Sequence, residues 1–320
     1  MQTLNFDNIF SITDYKETHR LIKIFGIKIK FPKKEFRIKR NDSEYYYYKK
    51  NNIDIRTIPP ATGQIRKIQL ANLELLKELD YVCRENNLTY WLEFGSLLGA
   101  KRHKGFIPWD DDVDTGMPKQ DYNKIVKAFE KSSRNPDIQA RIVQIPDTPS
   151  LCFIKVIHKK APHLFVDIFP YDKIDKKLSK KEQQKLSNII RKERKKFAKN
   201  ITLKNSIEDV LTKLEDFKKS INLTTFADCQ SSDTDLVWGV EYGHYGPNWI
   251  HSYDTIFPLR EIEFEGLEFP CMNKPEEYLQ ELYGDYMSYP KRIGMGHTMY
   301  KEFSQEEMEV IEGLITHDSN

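Results

Sequence analysis

Tyr90-Trp-Leu-Glu-Phe-Gly-Ser-Leu-Leu-Gly-Ala-Lys-Arg-His-Lys-Gly-Phe-Ile-Pro-Trp-Asp-Asp-Asp-Val-Asp114 is the stretch on which the reading of this chain turns. Its first five residues are aromatic and aliphatic apart from Glu93, which predicts a short buried strand. Gly95-Ser96 then turns the chain into a helix over residues 97–103, apolar at its start and basic at its end. The first N–H groups of a helix have no partner within it, so a Gly-Ser turn at that point is a natural seat for phosphate. Beyond Pro108 an extended segment is expected. Side chains alternate faces in such a segment, so Asp110, Asp112 and Asp114 are predicted to point the same way.

Three carboxylates on one face repel one another, and each makes the next harder to ionise. A divalent cation relieves that repulsion, and oxygen ligands of this kind suit Mg2+ or Mn2+. An EF-hand is excluded, because its sixth position must be Gly and its twelfth Glu, whereas here they are Thr115 and Asp121. An acidic surface turn is the remaining non-functional reading. Leu164-Phe-Val-Asp-Ile-Phe169 places another carboxylate, Asp167, inside an apolar strand. A buried carboxylate needs a partner or a metal, so Asp167 is expected on a strand beside the Asp110–Asp114 segment. Its alternative is the open face of an edge strand. Arg102, His103 and Lys104 form a cationic knot, read either as ordinary surface charge or as a clamp on phosphates.

The 50 basic and 48 acidic residues nearly cancel, to a net charge of +2, so no global field points to nucleic acid. The four cysteines, Cys83, Cys152, Cys229 and Cys271, lack CxxC spacing, which argues against a zinc site and a disulfide scaffold and fits a reducing compartment. The start of the chain lacks the charged and apolar regions of a secretory signal, and no apolar run reaches the ~20 residues of a membrane span. A cytoplasmic protein is therefore expected.

The rest of the chain reads as follows. Residues 21–32 alternate like a basic hairpin, either a solvated appendage or a patch for anionic lipid, and residues 41–52 read as a linker or exposed ribbon. Residues 63–87 carry apolar positions at helical spacing, with Gln64, Arg66 and Lys67 expected to face solvent. A helix is expected from Pro118 on, then strands over 141–145 and 151–158, the second of which brings Lys155 near Asp167 as a candidate phosphate contact. Residues 179–200 form a strongly basic helix with a thin apolar stripe, read as solvated or as membrane-surface attached, and 207–220 a second helix. Residues 238–249 are a Gly- and aromatic-rich loop that either packs or receives a cytosine ring, a sugar or a choline ammonium. A hairpin over 257–268 turning at 263–268, a short helix over 275–284 and a C-terminal helix after 297 complete the chain.

The segments Gly95-Ser-Leu-Leu-Gly-Ala, Arg102-His-Lys-Gly-Phe-Ile-Pro-Trp-Asp-Asp-Asp-Val-Asp and Val166-Asp-Ile-Phe-Pro resemble the LicD family, which contains bacterial phosphocholine transferases and is related to fukutin-type ribitol-phosphate transferases. Phe257-Pro-Leu-Arg, Phe264-Glu-Gly-Leu-Glu-Phe-Pro and Leu282-Tyr-Gly-Asp-Tyr extend the resemblance to roughly residues 65–292. It implies an α/β fold of the α+β kind, a nucleotidyltransferase-like mixed sheet flanked by helices. The catalytic domain would span 61–320, with an appendage and linker at 1–60 and a basic helical insertion at 175–222. The implied reaction is metal-dependent transfer of a phosphoalcohol from a CDP-linked donor to a glycan hydroxyl. The expected metal and catalytic set is Asp110, Asp112, Asp114 and Asp167. Gly95, Ser96, Arg102, His103, Lys104, Lys155 and Arg292 are the expected substrate contacts, the last placed near the active face by the resemblance. The acceptor is a cell-surface glycan, lipid-linked if the basic segments serve an anionic membrane. A metal-dependent glycosyltransferase and a non-catalytic nucleotide-binding scaffold are the rival readings.

Overall fold

The computed structural model describes residues 10–15, 19–24, 27–32, 42–174, 176–221, 223, 233–240, 249–290 and 303–316, and the chain divides into two compact units, 1–55 and 56–320. In the first unit, β1 (Phe10–Tyr15), β2 (His19–Ile24) and β3 (Ile27–Pro32) form an antiparallel meander. The expected hairpin is its second half. The presumed linker is instead largely a helix, α1 (Asp42–Lys50). The stretch reads as a linker or exposed ribbon, but Tyr45 buries its ring, and Lys49 and Lys50 in the last turn suit the helix C-terminus.

The second unit begins with α2 (Gly63–Glu85), whose residues Ile68, Leu75, Leu76, Leu79, Val82 and Cys83 are buried at helical spacing. There follow β4 (Trp91–Leu92), α3 (Phe94–His103), β5 (Val113–Pro118), α4 (Lys119–Ser132), β6 (Ile138–Ile145), β7 (Thr148–His158) and β8 (Ala161–Ile174). Next come α5 (Lys180–Lys199), α6 (Ile207–Ser220), β9 (Asp235–Trp238), β10 (Ile250–Ser252) and α7 (Tyr253–Ile256). The unit ends with β11 (Arg260–Phe264), β12 (Leu267–Cys271), α8 (Pro275–Tyr283) and α9 (Gln305–Thr316). The result is a mixed sheet of parallel and antiparallel strands flanked by helices, as expected from the sequence.

β8 is the hub of that sheet. One edge pairs in parallel with β5, while the other pairs antiparallel with β7 along its first half and with β9 along its second. Every residue from Leu164 to Asp172 is buried, as a strand covered on both faces demands. The sheet runs β10-β9-β8-β5-β4, with β6 reached through β7. The hairpin turn is shorter than expected, only Glu265-Gly266. Both residues have positive φ (53° and 77°), which matches the twist of the two flanking strands.

The insertion is fastened to the sheet by buried polar contacts. Lys218 of α6 pairs with Asp172 of β8 at 2.9 Å, and Arg194 of α5 donates to the carbonyls of Val240 and Ser150 at 2.7 Å each. Cys83, Cys152 and Cys271 are free and buried, and Cys229 lies outside the described residues.

Candidate active site

The site is built where α3 begins. Glu93 N–H donates to the Asp114 carbonyl at 3.0 Å, and Ser96 Oγ accepts from Asp114 N–H at 2.9 Å, so the acid segment is stitched to the first turn of this helix. The helix starts one turn earlier than the sequence implied, and Gly95 and Ser96 lie within it. Phe94 enters it at φ 42°, a costly conformation for a non-glycine residue. Its ring is caged by Phe169, Trp238 and Trp249 at centroid distances of 5.4, 5.3 and 5.7 Å. The two indoles also stack on each other at 4.4 Å, so both ends of the aromatic-rich loop pack into the core, while residues 241–248 lie outside the described ones.

A Cβ on Gly95 would meet Asp110 Oδ2 at 2.6 Å and Asp114 Oδ2 at 3.8 Å, so both carboxylates converge on the helix N-terminus. Asp114 on β5 is the direct neighbour of Asp167 on β8. Burial and the negative charges of Asp112 and Asp111 push the Asp110 carboxyl well above its ordinary pKa. Burial, then Asp112, Asp167, Asp110 and Glu93, do the same to Asp114. All four expected aspartates therefore share one electrostatic neighbourhood.

The extended-segment expectation needs a correction. β5 begins only at Val113, and residues 110–112 lie before it in irregular backbone. Asp111 is accordingly not turned to the opposite face. Carboxylate oxygens of Asp110, Asp111 and Asp112 come within 4.8 Å of one another, a grouping able to hold a metal ion. The backbone here is held by α2, where buried Gln69 donates to the carbonyls of Asp110 (2.7 Å) and Ile107 (3.2 Å), and buried Asn72 to that of Asp111 (2.8 Å). Sequence reasoning passed over both. Their signal was there: polar amides within the buried face of an apolar helix. Arg66, expected to face solvent, makes a two-bond pair with Glu265 at 3.0 and 2.6 Å.

Lys155 stands opposite Asp167 in the β7–β8 register, with its Nζ 2.7 Å from Asp167 Oδ1. Its ammonium lies 3.5 Å from the centroid of Phe165 and 5.1 Å from that of Phe153. Phosphate would compete with a carboxylate for this cation. Glu93 was likewise missed as a site residue. It is fully buried, accepts hydrogen bonds from the hydroxyls of Tyr171 and Tyr278, and burial pushes it up to about 8 against those two donors. Tyr283 approaches from α8; burial of its hydroxyl and the charges of Asp114 and Asp110 push its pKa up.

The cationic knot lies at the other end of α3, about 13 Å along the axis from Gly95 at 1.5 Å per residue. Arg102 is buried, donates to the Tyr286 carbonyl at 2.8 Å and to His103 Nε2 at 2.9 Å, and lies 6.0 Å from the Trp109 ring centroid. Burial and the adjacent Arg102 hold His103 down at about 4, so it is neutral near pH 7. Lys104, 73% exposed, caps the helix in the left-handed conformation and pairs with Glu263 at 2.8 Å. Arg292 lies outside the described residues.

A family model described as LicD/FKTN/FKRP, nucleotidyltransferase domain, matches residues 87–203. The lipopolysaccharide cholinephosphotransferase LicD of Haemophilus influenzae is 32% identical over 247 residues, 71% of this chain and 92% of that protein. The human ribitol 5-phosphate transferase FKRP is 35% identical over 82 residues, 26% of this chain and 16% of its own. An uncharacterized Rickettsia typhi protein, RT0683, is 32% identical over 112 residues, 33% of this chain and 36% of that protein.

Proposed function

This chain belongs to the LicD family, and from that premise we propose that it transfers phosphocholine from a CDP-linked donor to a hydroxyl of a cell-surface glycan, releasing CMP. The observation that carries this reading is the convergence of Asp110 and Asp114 on the α3 N-terminus, with Asp112 close enough to act on the charge of both and Asp167 on the adjoining strand. The coarser statement, an enzyme of phosphoalcohol transfer, rests on the family itself.

The donor set is all carboxylate oxygen, crowded enough to oppose its own ionisation, and it fits a hard divalent cation, Mg2+ or Mn2+. Asp110, Asp112, Asp114 and Asp167 would hold it, with Asp111 close by. Such an ion supplies charge neutralisation on the diphosphate when bound.

The chain's own residues supply position and proton transfer. The α3 N-terminus at Gly95-Ser96 offers backbone N–H groups to phosphate oxygens, and its dipole favours negative charge there. The acceptor hydroxyl oxygen forms a bond to the phosphorus bearing choline, the bridging P–O bond breaks, and the electron pair leaves with CMP. The hydroxyl proton passes to a carboxylate of this cluster, with Asp114 and Asp167 the candidates. Arg102 acts by fixing Tyr286, and through it the approach from α8.

A ribitol-phosphate donor is the second reading, favoured by the FKRP similarity. The test is CMP release by the purified protein with Mg2+ and, in separate reactions, CDP-choline, CDP-ribitol, CDP-glycerol and CDP-ethanolamine, with donor binding measured alongside. Chelator-sensitive release from CDP-choline is expected. Release from CDP-ribitol alone would replace the donor. Neither binding nor release, with UDP-sugars hydrolysed instead, would hand the site to a glycosyltransferase.

A further inference from the structure

The two helices of the insertion differ sharply in charge. α5 carries nine basic and two acidic residues, whereas α6 carries three basic and four acidic. In α5 the inward stripe is Gln183, Ser187, Ile190 and Arg194, all buried. At 100° per residue the opposite face is Lys181, Lys185, Lys192, Lys195 and Lys199, all exposed. The two acids lie on the flank and are already engaged, Glu182 with the Ser179 cap and Lys176, Glu193 with Lys196. None of the five lysines has a carboxylate partner among the described residues. They make a straight row of ammonium groups about 27 Å long.

Exposed apolar side chains occur on the same insertion. Ile189 is 41% exposed, and Leu203 and Ile207, in and after the α5–α6 turn, are 63% and 36% exposed. With the whole chain at only +2, this is a local field built on one element.

We propose that the outer face of α5 is a docking surface for an anionic lipid bilayer. Compact lysine charges on one line, with exposed Ile189 on the adjoining flank of the same helix, match a plane of negative headgroups over an acyl boundary. Nucleic acid fits this face less well, because it offers no aromatic ring for base stacking. The only arginine exposed on α5 is Arg191, so the paired guanidiniums that grip phosphopeptides are missing from it. The buried contacts of Arg194 fasten α5 to Ser150 and Val240, so the opposite face is turned outward. The inference is independent of which donor the site uses.

The test is flotation of the full chain with vesicles of phosphatidylglycerol and phosphatidylcholine in equal parts, against vesicles of phosphatidylcholine alone. Wild type is expected to float only with the anionic vesicles, and to be released by high salt. Loss of roughly fivefold in partition per lysine predicts at least a hundredfold loss for K185E/K192E/K195E. K213E on α6 should bind like wild type. Unchanged melting and unchanged CMP release from a soluble donor would show that the triple variant is intact. No binding by wild type, equal binding by the triple variant, or capture by soluble heparin with no vesicle binding would each overturn the proposal.

Discussion

The two ends of α3 carry opposite charge, and they handle it differently. At the C-terminal end each cation is already engaged: Arg102 with the Tyr286 carbonyl and His103, Lys104 with Glu263. Cations there also complement the helix dipole. At the N-terminal end Asp110 and Asp114 press against Gly95, and burial together with the charge of neighbouring carboxylates raises the pKa of both. The cationic end is thus structural, while the anionic end crowds carboxyls whose like charges oppose their own ionisation. Charge of either sign was visible in the sequence; whether the fold had already neutralised it was not.

The strongest way to break this contrast is Asp112→Asn. It should reduce CMP release by about a thousandfold or more, the scale of lost charge stabilisation in a transition state. Without metal its melting temperature should equal or exceed wild type, because one repelling charge is gone. Activity within tenfold of wild type would remove Asp112 from the site. Gly95→Ala comes next. A methyl group there displaces the Asp110 carboxylate, so activity should fall by about ten- to a hundredfold, the cost of small misplacement, while circular dichroism stays native.

Glu93→Gln sharpens the comparison through pH. Burial raises the folded pKa of Glu93 from 4.5 to about 8, so its protonated form is favoured in the native state. Its contribution to stability is complete below its unfolded pKa and is lost as pH rises through about 8. Metal-free wild type should therefore lose stability across that window with a slope of up to ~1.4 kcal/mol per pH unit from this group. The Gln variant should show a shallower slope in denaturant titrations at stepped pH, and an unchanged slope would remove Glu93 as its source. The smallest effect belongs to the basic end. Lys104→Ala, at an exposed and solvent-screened ion pair, should leave the melting temperature unchanged and kcat/KM for the donor within about twofold. A tenfold rise in KM would return Lys104 to the phosphate site.

Much of the sheet was legible because β strands write their burial into the sequence. The apolar run around Asp167 and the stretch 151–158 both became strands, each longer than expected. The acid segment was legible in composition but not in backbone. Alternation was assigned to residues 110–112, whereas the strand starts at Val113, and this hid Asp111. Glu93 escaped because its partners, Tyr171 and Tyr278, are 78 and 185 residues away, a pairing that no local pattern encodes. Lys155 was placed near Asp167 from strand spacing, but the register that sets the two opposite each other belongs to the folded sheet. Residues 41–52 read as a linker or exposed ribbon, whereas residues 42–50 form a helix with Tyr45 buried, an outcome that packing decides and local sequence does not.

The amides of Gln69 and Asn72 grip the acid segment by its main-chain carbonyls, leaving the carboxyl groups themselves out of that suspension. The backbone of the socket is therefore held by neutral amides, independently of whatever enters it. An ion held there could be stripped by a chelator and replaced by another without the scaffold having to refold around each newcomer.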